Sequence, residues 1–343
     1  MLLARYAKYT LHFKQPAGTS RGVLTEKTGY ILEISNSDQP GITGSGECSI
    51  LPELSYDDRP GYEERLQQLC DEINLPFHVL MAGLTEWPSL QFALETALLH
   101  LKNGGSGLLF ESSFTDGRTA IPINGLIWMS DYETMLAQIK VRIASGFKVI
   151  KMKVGALDFG TETELLTKIR QQYPPGQITL RLDANGAFSR QQALEKLHLL
   201  SAFQIHSIEQ PIQADRTNHW ASMAYICRHS PIPVALDEEL IGYPANPERI
   251  ALLEAVSPSF IILKPSLLGG FSACAEWIRI AESRNIGWWV TSALESNIGL
   301  SAIAQWTATL PTKGMAQGLG TGSLFTDNFE SPLHVEQGEL KYK

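Results

Sequence analysis

The sequence predicts an α/β protein, a β/α barrel carrying a separate N-terminal α+β domain. Three observations predict it: alternating apolar and polar residues over the first fifty positions, eight short apolar runs separated by amphipathic stretches beyond residue 120, and polar residues that recur at the C-terminal ends of those runs. The alternation from Arg5 to about Ile50, with breaks at Pro16-Ala17-Gly18 and at Ser37-Asp38-Gln39-Pro40-Gly41, predicts a three-stranded antiparallel meander. Helical patterns follow near Gly61 to Ile73 and Ser89 to Leu101, the second opened by Pro88. Residues 1–118 thus form the α+β domain, residues 119–321 the barrel, and 322–343 an extension that packs back on the first domain.

The eight strands fall at Ile123 to Met129, Val149 to Lys153, Ile178 to Asp183, Ser207 to Glu209, Val234 to Asp237, Phe260 to Lys264, Trp288 to Ser292 and Ala316 to Gly320. Spread over about 200 residues, they match a barrel. A doubly wound sheet is the rival, disfavoured because no GxGxxG follows the first strand.

Composition narrows the partners. The chain has 343 residues, is 44% apolar and carries a net charge of -8, with an isoelectric point near 5.5. Nucleic acid is disfavoured, because phosphate neutralisation needs a dense basic face. Cys48, Cys70, Cys227 and Cys274 lack CxxC spacing and read as reduced thiols, and no uncharged run spans a membrane. A cytoplasmic protein acting on a small molecule is expected.

The strand ends carry the chemistry. Lys151 and Lys153 share one face of their strand, and from Lys153 onward Asp183, Glu209, Asp237 and Lys264 follow at intervals of 30, 26, 28 and 27 residues, each one β/α unit. All five therefore reach one rim. Three carboxylates converging there repel one another unless a cation intervenes, and a hard divalent ion such as Mg²⁺, with Mn²⁺ able to stand in, suits oxygen donors. Zinc fits less well, since neither histidine nor cysteine occupies these ends. Beside Lys151 and a metal, Lys153 should have a depressed pKa and act as a base, with Lys264 across the barrel. Taken singly, Asp183 or Asp237 also reads as a helix N-cap, Lys264 as a snorkelling surface residue and Glu209 as a strand end before Pro211. The constellation, not any one residue, points to a site.

The stretches Lys151-Met152-Lys153, Arg181-Leu182-Asp183-Ala184-Asn185, Ile208-Glu209-Gln210-Pro211, Ala235-Leu236-Asp237-Glu238 and Leu263-Lys264-Pro265 resemble, in order and spacing, the motifs of the muconate-lactonizing subgroup of the enolase superfamily. The resemblance implies a (β/α)7β-type TIM barrel with an N-terminal α+β capping domain. It also implies that superfamily's established chemistry, in which a lysine or histidine base works with Mg²⁺. Within the subgroup, Pro122 to Met129, Lys264 to Gly270 and Ser292 to Leu300 are most similar to the o-succinylbenzoate synthase family.

That family implies dehydration of a cyclohexadiene carboxylate to an aromatic product in menaquinone biosynthesis, with Lys153 and Lys264 catalytic and Asp183, Glu209 and Asp237 on Mg²⁺. N-acylamino-acid racemase and muconate cycloisomerase are the alternatives within the superfamily. A Schiff base at Lys264 and a non-catalytic binding barrel are the alternatives outside it. Dipeptide epimerases of the subgroup carry Asp-x-Asp on the eighth strand; here Gly318-Leu319-Gly320-Thr321 has no acid, which disfavours an amino-terminal substrate. Lys151, Arg181, Asn185, Glu238, Ser292 and Gly318 are expected to bind substrate or support the metal shell. Ser20 and Arg21, in Gly18 to Gly22, read either as a lid over an anion or as a plain hairpin turn. Gly318 to Ser323 reads as a common Gly-rich turn or a phosphate cradle.

Overall fold

The computed structural model describes residues 1–19, 22–215 and 220–343. The N-terminal alternation forms an antiparallel sheet of β1 (Leu2–Thr19), β2 (Gly22–Asn36) and β3 (Thr43–Cys48), in that order. One expected break is not a break. β1 runs through Pro16-Ala17-Gly18 with a register shift between His12 and Ala17, an irregularity that accommodates a proline with no N–H to offer the ladder.

Three helices cover this sheet: α1 (Tyr62–Asp71), α2 (Phe77–Gly83) and α3 (Pro88–Lys102). The pattern predicts the first and third. It misses α2, whose seven residues bury only Leu80 and so show no apolar stripe.

α3 lies directly on β3 because Gly44 and Gly46 have no side chains: a Cβ at either would stand 2.0 Å from the carbonyl oxygen of Ala97 or Ala93. Four residues of helix rise about as far as two of strand, roughly 6–7 Å, so the two glycines meet the two carbonyls in step. Backbone cannot yield as a side chain can. Gly46→Ala should therefore destabilise the protein by about 3 kcal/mol, read from the urea midpoint of the full chain; a change under about 0.5 kcal/mol would show that the helix slides freely.

The barrel follows. Its elements are β4 (Ile121–Pro122), β5 (Gly125–Ile127), α4 (Tyr132–Ala144), β6 (Val149–Lys153), α5 (Phe159–Gln172), β7 (Thr179–Asp183), α6 (Ala193–Ser201) and β8 (Ser207–Glu209). They continue through α7 (Ala221–His229), β9 (Val234–Leu236), α8 (Asn246–Val256), β10 (Phe260–Leu263), α9 (Pro265–Leu268), α10 (Gly270–Glu282), β11 (Gly287–Val290) and α11 (Asn297–Ala308). β5 to β11 form one parallel sheet in sequential order.

The eighth expected strand is irregular, yet it closes the barrel. Residues 316–318 make parallel bridges on both sides, Ile123 with Gln317 and Thr291 with Gly318, and Asn124 N–H donates to the Gln317 carbonyl over 2.9 Å. Along the strands Ile150, Met152, Leu180, Leu182 and Ile208 are fully buried against the helices, which turns the alternate residues Lys151, Lys153, Asp183 and Glu209 inward.

Two glutamates of the N-terminal domain hold it to the barrel. Glu95 of α3 accepts from the N–H groups of Phe271 at 2.5 Å and Ser272 at 3.2 Å, at the start of α10. Glu47 of β3 accepts from Ser296 and Gly299 N–H, each at 2.9 Å, at the start of α11. Unpaired amides at a helix start favour an anion, and each carboxylate supplies one. Gly270 follows from this contact, since a Cβ there would lie 2.2 Å from Glu95 Oε2.

The C-terminal extension divides its contacts. Lys14 N–H donates to the Leu324 carbonyl and Thr326 N–H to that of His12, beside β1. The hairpin of β12 (Leu333–Glu336) and β13 (Glu339–Tyr342) pairs instead with β4. Among the described residues no helix is long and apolar enough to cross a membrane.

Candidate active site

The parallel register sets the rim. Lys153 pairs with Asp183, and Asp183 with Glu209, so the ends of β6, β7 and β8 carry three of the expected side chains in one row. Asp237 and Lys264 stand one residue beyond β9 and β10. Above them lies a cavity of about 100 Å³ lined by Lys151, Lys153, Asp183, Asn185, Glu238 and Lys264, with Leu51 and Leu54 reaching in from the N-terminal domain and Ser292 and Gly318 completing the wall.

Ammonium groups and carboxylates interlock here. Lys151 Nζ lies 2.9 Å from Asp183 Oδ2 and also bonds Glu209 Oε2. Lys264 Nζ lies 2.5 Å from Asp237 Oδ2. Burial opposes the charge of both lysines, but the surrounding carboxylates outweigh it and hold both above the ordinary lysine value. Asp183, despite its burial, is held below the usual carboxylate range by Lys151 and Lys153.

Lys153 differs from its neighbours. Its Nζ donates to the Gly18 carbonyl over 2.9 Å and lies 5.1 Å from the Trp128 ring centre. No carboxylate bonds it among the described residues. Its pKa is lowered, as the sequence implies, but chiefly through burial, with the charges of Lys151 and Lys264 adding to it.

Among the described residues no three acidic or histidine side chains sit close enough together to form a ready-made metal shell. Glu209 and Asp237 lie behind Lys151 and Lys264 rather than on the cavity wall. Even so, the donors fit a hard dication. Glu209 Oε1 and Glu238 Oε2 are buried with no hydrogen-bond partner, and burial pushes both groups up to about 7. Four buried carboxylates, Asp183, Glu209, Asp237 and Glu238, face three ammonium groups, those of buried Lys151 and Lys153 and of partly buried Lys264, and only two when Lys153 is neutral. A divalent cation balances that difference.

The remaining expected residues separate. Asn185 donates to Glu238 Oε1 over 3.1 Å, and both line the cavity. Ser292 Oγ shares a 2.6 Å hydrogen bond with Thr321 Oγ1. Arg181 does not line the cavity: its guanidinium donates to the Ala316 carbonyl over 2.8 Å and stacks 4.1 Å from the Trp289 ring centre, with its charge still acting on Glu209. It shares the strand face of Asp183, but two residues back along a strand is one layer deeper in the barrel. Ser20 and Arg21 lie outside the described residues.

Several cavity residues carry no sequence signal of their own. Leu51 and Leu54 look like ordinary core positions, and Asn124 and Trp128 lie in a strand read for its apolar pattern. Gln210 is a positioning residue missed for the same reason. Its Oε1 accepts from the Asp237 and Glu239 N–H groups at 3.2 and 3.3 Å, turning the chain after β9 toward the rim.

A sheet-and-helix cap over the C-terminal rim of a closed parallel barrel, with lysines and carboxylates alternating around that rim, defines a cap-and-barrel enzyme. The chain belongs to the enolase superfamily: residues 134–343 match the model of the enolase C-terminal domain-like family. It is 46% identical to the o-succinylbenzoate synthase of Desulfotalea psychrophila, across 98% of this chain and 97% of that one. The crystal structure of MenC from the same organism superposes with a TM-score of 0.86 at 40% identity, covering 99% of each chain. The L-Ala-D/L-Glu epimerase of Bacillus subtilis shares the fold, with a TM-score of 0.84 at 18% identity over 99% of this chain and 95% of that one.

Proposed function

We propose that the chain is an o-succinylbenzoate synthase that dehydrates 2-succinyl-6-hydroxy-2,4-cyclohexadiene-1-carboxylate to o-succinylbenzoate, in the cytoplasm and within menaquinone biosynthesis. Residues 1–118 act as the cap, residues 119–321 as the catalytic barrel and 322–343 as its return. The observation that carries this reading is the placement of Lys153 and Lys264 in one cavity with Asp183 and Glu238. The choice of substrate rests on the likeness to the Desulfotalea psychrophila enzyme.

Lys153, which no carboxylate bonds among the described residues, takes the proton from the carbon next to the ring carboxylate, leaving an enediolate. Lys264, held charged by Asp237, stabilises that anion from the other side. Lys153, now an ammonium, returns its proton to the hydroxyl leaving the adjacent ring carbon. Water departs, the ring becomes aromatic and the lysine is neutral again. Asp183, Glu209 and Asp237 would hold Mg²⁺, which supplies Lewis-acid stabilisation of the carboxylate as it gains charge. Asn185 orients Glu238 beside them.

Gly318-Leu319-Gly320-Thr321 contains no acid, and three of its four residues line the same cavity, which supports a substrate without an ammonium group. The test is direct: the purified protein with Mg²⁺ and the cyclohexadiene carboxylate should give the aromatic product. Failure there together with racemisation of an N-acylamino acid would move the reading to the racemase branch.

A further inference from the structure

Among the described residues, one buried lysine lies outside the reacting cluster. Lys27, on β2 of the cap, is 2% exposed and reaches across to the barrel. Its Nζ donates to Ser49 Oγ, and to the carbonyls of Ala293 at 3.3 Å and Leu294 at 2.6 Å. Three ammonium protons thus meet three acceptors. The buried carboxylates of Glu47 and Glu295 favour its charge from nearby, yet its protons go to the hydroxyl and the two carbonyls rather than to either carboxylate. The arrangement makes sense if the two carbonyls must be held.

Those carbonyls belong to the loop after β11, and Ala293 and Leu294 line the active-site cavity. The loop cannot hold this shape as simple strand continuation, since Leu294 adopts a left-handed backbone with φ of 62°. Glu295 fastens it from below. One of its carboxylate oxygens accepts from Ala293 N–H over 2.7 Å, and the other from Ser266 Oγ over 2.5 Å. Ser266 is two residues past Lys264. Cap, loop and the Lys264 segment are therefore joined in one buried network, and Glu47 secures the loop's far end at Ser296.

Resting on the function proposed above, we infer that Lys27 is a positioning residue: by gripping the Ala293 and Leu294 carbonyls it holds the loop as a wall of the substrate cavity. The cap thereby shapes the cavity through a fixed sheet position.

Hydrogen exchange on the full-length protein tests the grip without substrate. In Lys27→Met the Ala293, Glu295 and Ser296 amides should exchange at least about tenfold faster, while amides of β6 to β8 keep wild-type rates; unchanged protection over 293–296 overturns the inference. Turnover supplies the second readout. KM for the cyclohexadiene carboxylate should rise about tenfold with kcat within about threefold. A fall in kcat at constant KM, which a smaller folded fraction would produce, also overturns it. Ser49→Ala, which removes only the cap-side acceptor, should show the same pattern at lower amplitude and serves if Lys27→Met does not fold. A wild-type protein inactive on this substrate would sink the proposed reaction but leave the exchange result to decide the role of Lys27.

Discussion

Lys153→Ala should lower kcat by about 10³–10⁴-fold, the upper part of the range for loss of a positioned general base, because the same amine is asked both to remove the proton and to return it. The fold should survive. Lys153 is 8% exposed, among the described residues its side chain bonds the Gly18 carbonyl, and removing a buried amine relieves desolvation rather than breaking an ion pair. The melting temperature should hold within a few degrees, roughly a 1 kcal/mol change. Lys151→Ala should behave otherwise. It strands Asp183 and Glu209 without their shared ammonium, so stability should drop by about 3 kcal/mol alongside activity. A Lys153→Ala protein retaining more than about a tenth of wild-type kcat would refute the mechanism and revive the Schiff-base role for Lys264, which borohydride trapping with substrate would then reveal.

Chelation is the second large effect. Exhaustive removal of divalent ions should abolish turnover, and Mg²⁺ should restore it. The ion should also stabilise the fold: at about a hundred times its Kd, linkage predicts about 2.7 kcal/mol, visible as a rise of several degrees in the melting temperature. Asp183→Asn should remove both responses, because it takes a charge from the one proposed ligand that also lines the cavity. Full turnover in chelator, or a melting curve indifferent to Mg²⁺, would refute the metal site. The ion pairs give the prediction a particular form. Lys151 and Lys264 each bond proposed ligand carboxylates through one oxygen of each, so the ion would share those carboxylates with two ammonium groups.

The rim is legible in the sequence because barrel geometry converts spacing into position. Each β/α unit returns the chain to the same end, so residues about 27 positions apart become neighbours, and the pairs Lys153–Asp183 and Asp183–Glu209 meet in register. Depth is not legible. Arg181 shares a strand face with Asp183, which places it near substrate on pattern alone, but period-two alternation tells which way a side chain points and not which layer it occupies. Nor is the partner of each lysine. Lys151 and Lys153 look equivalent in sequence, yet one is clamped between two carboxylates and the other bonds a backbone carbonyl of the cap.

Periodicity and composition alone determined the α+β and β/α halves, the inward-facing rim set and the acidic, oxygen-rich chemistry, because each follows from local pattern repeated at a fixed interval. Tertiary structure alone decided the cap contacts. Lys27 grips Leu294 across 267 positions, and Glu95 meets the start of α10 across 176. No local period encodes a contact between separately folded units, since it depends on how two finished surfaces meet. A charged residue in a β-strand looks the same in sequence whether water or a carbonyl awaits it.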